Sequence, residues 1–117
     1  MTKYDLKERT EKFGKDTIEF RKNMPVNHIT LNIIDQLLRS ATSIGANYCE
    51  ADNAHSKKDF RHKISICRKE SREARHWLIM MASASPPSKK SSEELAREAH
   101  ELNLIFNKIF ISTGKQK

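Results

Sequence analysis

The 117-residue sequence is 37% hydrophobic and 32% charged, with three glycines and three prolines, a balance that favours long helices over short strands joined by glycine-rich turns. Its longest apolar run, Trp77 to Ala82, has six residues, far below the roughly 18 of a membrane span, and its charged start has no apolar stretch of the signal-peptide kind. These features predict one cytoplasmic domain over residues 1–117 with a single core and no contact with membranes.

The first predicted helix covers about Asp5–Lys22, where Leu6, Phe13, Thr17, Phe20 and Met24 step by seven, four, three and four. Pro25 ends it, because proline removes a donor and disfavours a helical residue before it. The second covers about Asn27–Ala51, with Ile34, Leu37, Ala41, Ile44 and Tyr48 as its apolar stripe. After a short polar connection, Ser56 reads as an N-cap with Asp59 three residues on. The third helix then runs to about Ala84, ahead of Pro86-Pro87. Ser91 reads as the cap of a fourth helix, with Glu94 at the capping-box position, Leu95, Ala99, Leu102, Phe106 and Ile109 as its stripe, and Gly114 as its C-cap. Short loops between long helices imply antiparallel neighbours, hence an all-α, up-down-up-down four-helix bundle.

Two cysteines, Cys49 and Cys67, are too few for a disulfide framework. In an antiparallel hairpin they lie roughly 12 Å apart along the axis, too far to bridge, and read as two small core thiols.

The third helix carries more than core. Phe60, Ile64, Cys67, Ser71, Ala74 and Leu78 share its core arc at about 100° per residue. On another side Ile66, Glu70, Glu73, Trp77 and Met80 form a second heptad-like seam, which predicts a subunit interface. The second helix has a comparable row in Gln36, Ser40, Ser43, Asn47 and Glu50, small polar groups that suit a close helix–helix contact. Arg39 falls level with about position 69 of the third helix, so an ion pair with Glu70 or Glu73 is expected.

Charge is unevenly spread. Residues 1–55 carry equal numbers of Lys/Arg and Asp/Glu, whereas residues 56–77 carry eight Lys/Arg against only Asp59, Glu70 and Glu73. Of those cations Lys57, Arg61, Arg68, Arg72 and Arg75 fall within about 40° of Arg61 at about 100° per residue, with no acid on the same arc. A ladder rich in arginine suits phosphate, and predicts nucleic-acid binding, RNA above all. The plain alternatives are a solvated helix face or a dock for an acidic protein. No motif for sequence-specific readout is present.

Catalytic signals are absent. Glu73-x-x-His76 has the spacing used by di-iron bundles but lacks the second pair such sites need. Asp59-x-x-His62 and Asp52-x-x-His55 lie at a helix start and in a loop, where they share no core site. No HExxH, phosphate loop or nucleophile elbow occurs. The expectation is a non-enzyme with no metal, no cofactor and no small-molecule substrate.

Several stretches resemble a known family. Gln36-Leu37, Arg39-Ser40, Ser43-Ile44, Asn47 and Glu50 resemble the Q-L-x-R-[AS]-x-x-S-I-x-x-N-x-x-E pattern of the four-helix-bundle 23S ribosomal RNA intervening-sequence protein family. Ser56-x-x-Asp59-Phe60 and Glu70-Ser71-x-Glu73 with Trp77-Leu78 are similar to its later segments. Ala51 stands where that family often has glycine and Ala74 where threonine is common. The resemblance implies an up-down-up-down bundle, commonly a homopentameric ring, and no known enzyme activity. It also implies kinship with accessory proteins of diversity-generating retroelements, which bind a reverse transcriptase and its template RNA through basic surfaces.

Overall fold

The computed structural model describes residues 3–115, with side chains from Asp5 onward, so the outermost ends of the predicted domain (residues 1–2 and 116–117) lie outside the described residues. Four helices follow one another: α1 (Lys3–Lys22), α2 (His28–Asp52), α3 (Lys57–Ala84) and α4 (Lys89–Gly114), with no strand among the described residues.

The turns show why the helices begin where they do. Asn27 caps α2, its Oδ1 accepting from the backbone N–H of Ile29 and Thr30 at 2.9 and 3.0 Å. Thr30 Oγ1 in return accepts from the Asn27 N–H at 3.1 Å, so two otherwise orphaned donors are satisfied reciprocally. Ser56 caps α3, accepting from the Asp59 N–H at 3.0 Å.

The start of α4 departs from the predicted Ser91 cap. Pro86–Ser88 form a short 3-10 turn and α4 opens directly after it, at Lys89. Ser88 holds the N-cap position, but its hydroxyl turns back to donate to the Ser85 carbonyl at 2.7 Å. The two prolines supply the fixed φ of that turn, and the helix begins three residues earlier than the serine spacing suggests. Gly114 is likewise the last residue of α4 rather than a left-handed cap, and no glycine has positive φ.

Packing follows the stripes. Phe13 and Phe20 of α1, Ile34, Leu37 and Ile44 of α2, Ile64 and Leu78 of α3, and Leu102 and Phe106 of α4 are all buried in one cluster. Burial of each large side chain contributes about 1.5–3 kcal/mol. Small core residues on α3 (Cys67, Ser71, Ala74) admit close neighbours. α3 packs against α2 and α4, and α1 packs against the same two, so α1 and α3 lie diagonally opposite. The four helices therefore stand at the corners of a rod with extents of 49 × 20 × 20 Å. Arg9 of α1 ties α4 by a two-pronged contact to Glu98, at 2.6 and 2.7 Å.

One cysteine expectation is corrected. Cys67 is buried, its thiol 3.6 Å from the Ile44 carbonyl, but Cys49 is exposed. It follows Tyr48 by one residue, about 100° off the α2 core stripe.

Candidate nucleic-acid interface

α3 sorts its charges by flank. Its acids Glu70 and Glu73 face α2, where Arg39 stands 3.7 Å from Glu70 and 4.0 Å from Glu73. Ser43 of α2 lies beside the Glu70 carboxyl. Burial, then the neighbouring Glu73 carboxyl, push the Glu70 carboxyl above the ordinary glutamate range, while Ser43 and Arg39 pull the other way. Farther along the same groove Lys63 meets Glu50 at 2.7 Å.

Of the predicted seam Ile66, Glu70, Glu73, Trp77 and Met80, the two acids thus face α2 of the same chain. Glu70 is only 7% exposed, Ile66, Glu73 and Trp77 are half-buried, and Met80 is 37% exposed. Ser40 is buried, whereas Gln36 and Glu50 are exposed. Three atoms on this seam are buried without a hydrogen-bond partner: Glu70 Oε1, Glu73 Oε2 and Trp77 Nε1.

The five predicted cations divide into groups. Arg61 donates from Nε to Thr113 Oγ1 at 3.2 Å and from Nη2 to the Phe110 carbonyl at 3.3 Å. Its guanidinium carbon lies 4.0 Å from the centre of the Phe110 ring, and that of Arg68 lies 4.3 Å from the same ring. Arg68 also donates from Nε to Asn107 Oδ1 at 2.7 Å. Asn107 in turn donates to Asn103, whose amide donates to the Arg68 carbonyl and to Ser71 Oγ. Arg61 and Arg68 are therefore built into the α3–α4 contact.

Lys57, at the first residue of α3, is exposed. Arg72 and Arg75 are exposed and make no hydrogen bond or ion pair with the other described residues. Lys69 shares that exposed outer face. A shallow trough of about 880 Å³ runs over it, lined by Lys69, Arg72, His76 and Asn107 among others.

Residues that sequence reasoning missed come from α4. Asn103 and Asn107 hold Arg68, and His100 lies one turn away beside Arg75. Their i, i+3 and i, i+4 spacing was the available signal, but polar residues at that spacing also occur on any solvated helix. No group of three or more potential metal ligands occurs among the described residues, and no helix there is long and apolar enough to cross a membrane.

None of the curated proteins compared with the chain matches it. It is similar to a crystal structure of a protein of unknown function from the S23 ribosomal protein family of Bacteroides thetaiotaomicron VPI-5482. The two share 30% sequence identity over 94% of this chain and 98% of that chain, with a TM-score of 0.84. The family model described as 23S rRNA-intervening sequence protein matches residues 2–108, and neither description names a catalytic activity. The four-helix bundle and a match over nearly the whole sequence lead to one conclusion: the chain belongs to the 23S rRNA-intervening sequence protein family.

Proposed function

We propose that this protein is a non-enzymatic, cytoplasmic accessory protein that binds RNA, or a nucleoprotein through its RNA, on the basic face of α3. The observation that carries this reading is the sorting of charge on that helix. Glu70 and Glu73 are turned to Arg39, while Arg72 and Arg75 face outward with no acid to pair with. A merely solvated face has no need to separate its signs, whereas a phosphate backbone requires it. A reverse transcriptase carrying its template RNA is one nucleoprotein of this chemistry.

The helices are read as an antiparallel, up-down-up-down bundle. Support comes from pairs that step in opposite directions along α2 and α3, Glu50 with Lys63 and Arg39 with Glu70. Self-association into a ring of five is part of the same proposal. Trp77 Nε1 and Glu73 Oε2, both buried without a hydrogen bond, share the seam with exposed Met80 and favour a second copy there.

The test is binding of the purified protein to single-stranded RNA at low and high salt, with an acidic polypeptide as competitor. RNA binding that salt abolishes supports the reading. Capture of the polypeptide with no detectable RNA binding favours a scaffold that docks acidic proteins.

A further inference from the structure

Beside the exposed arginines the surface dips into a hollow of about 340 Å³ between α3 and α4. Arg72, Arg75 and His76 line it from α3, and His100 and Asn103 line it from α4. The three α3 residues are at i, i+3 and i+4, so they share one patch of surface, and His100 and Asn103 are at i and i+3. Asn103 is fixed in place by its bonds to the Arg68 carbonyl, Ser71 and Asn107, which makes that wall rigid. The acids nearest on α4, Glu93 and Glu101, line the adjoining hollow with Arg75, Arg97 and His100, and neither forms an ion pair with Arg75. Two arginines one turn apart with no acid between them repel, and a bound anion relieves that repulsion.

We propose that this hollow is a phosphate subsite that takes one backbone phosphodiester of a bound RNA. Arg72 and Arg75 address its two non-bridging oxygens, and His76 and His100 donate N–H groups from the two helices. The inference rests on the RNA-binding reading above and adds to it the place of contact and the part played by α4. Guanidinium forks match phosphate geometry, and an imidazole N–H on each side restricts the anion to one position.

The five histidines make the test direct, since each imidazole gives its own NMR signals and only two of them line the hollow. The full chain is titrated with a short single-stranded RNA and, separately, with inorganic phosphate, while a fluorescent label on the RNA reports binding independently. The signals of His76 and His100 should move together and saturate with the RNA, at concentrations far below those at which inorganic phosphate moves them. His28, His55 and His62 should stay in place. Arg75→Gln should lower the log–log salt slope of RNA affinity by about 0.7, the loss of one single-strand phosphate contact, and Lys12→Gln on α1 should leave it unchanged. RNA binding by fluorescence with unmoved His76 and His100 signals, or with all five moving alike, overturns the subsite and leaves the broader reading standing. Absence of RNA binding at low salt overturns both.

Discussion

Arg68 donates a 2.7 Å hydrogen bond from Nε to Asn107 Oδ1 across the α3–α4 groove, so a residue that looks like a phosphate binder also holds the fold together. Its guanidinium lies over Phe110 as well. A charge-assisted hydrogen bond and a partly exposed cation–π contact together predict a loss of about 1–2 kcal/mol for Arg68→Ala. Arg72→Ala, which removes no contact, should stay within about 0.5 kcal/mol of wild type. Urea unfolding of the two variants checks this, and equal midpoints would return Arg68 to the solvent-facing group.

Glu70 predicts a pH effect of definite sign. Its carboxyl holds a proton to higher pH in the folded chain than the ordinary value of 4.5 that applies when unfolded. As pH rises above 4.5 the unfolded chain loses that proton first, so this group's contribution to stability falls until the folded group ionises too. Glu70→Gln should remove that fall, and so gain on wild type from pH 4 towards pH 7 in chemical denaturation. A constant difference between the two across that range would contradict the assignment.

The Arg39 contacts make a second energetic prediction. Arg39→Ala alone leaves two neighbouring acids uncompensated, so it should cost more than Arg39→Ala combined with Glu70→Gln. Additive losses in the double-mutant cycle would show the 3.7 Å contact to be energetically empty.

Thiol reactivity separates the two cysteines. Burial pushes the Cys67 thiol up to about 12, and Cys49 is exposed. A thiol reagent at pH 8 should label one cysteine per chain in the native protein and two in denaturant. Two fast labels under native conditions would mean that α3 opens readily against α2.

The self-association reading predicts a mass near five times 13.6 kDa by light scattering. Trp77→Glu should reduce it, because the change places a charge in a partly apolar contact. A monomer at micromolar concentration would remove oligomerisation from the proposal.

The fold was legible wherever large apolar residues repeat at the helical period. Ile34, Leu37, Ala41, Ile44 and Tyr48 all reach the core as their spacing requires. Caps were legible where one side chain serves one backbone donor, as at Ser56, but not before α4, where Pro86-Pro87 form a turn of their own. The candidate site was harder to read for a geometric reason. A wheel drawn about the α3 axis gives each arginine an angle, but not the neighbour that covers that angle. Arg61 and Arg72 lie only about 20° apart on it, yet Phe110 and Thr113 of α4 reach the first and not the second. His100 carried no signal in the sequence, because a lone histidine on a polar face gains meaning only beside Arg75.

The central claim is that the outward cations of α3 bind RNA through its phosphates, and a salt titration of RNA affinity tests it most directly. Wild type should lose affinity with a log–log slope of about −0.7 for each phosphate neutralised on a single strand, largely independent of RNA sequence. The double variant Arg72→Gln with Arg75→Gln should bind more weakly at every salt concentration, with a slope shallower by about 1.4 for two lost contacts and an unchanged urea midpoint. Wild-type affinity that ignores salt, or a double variant with the wild-type slope, would contradict the claim.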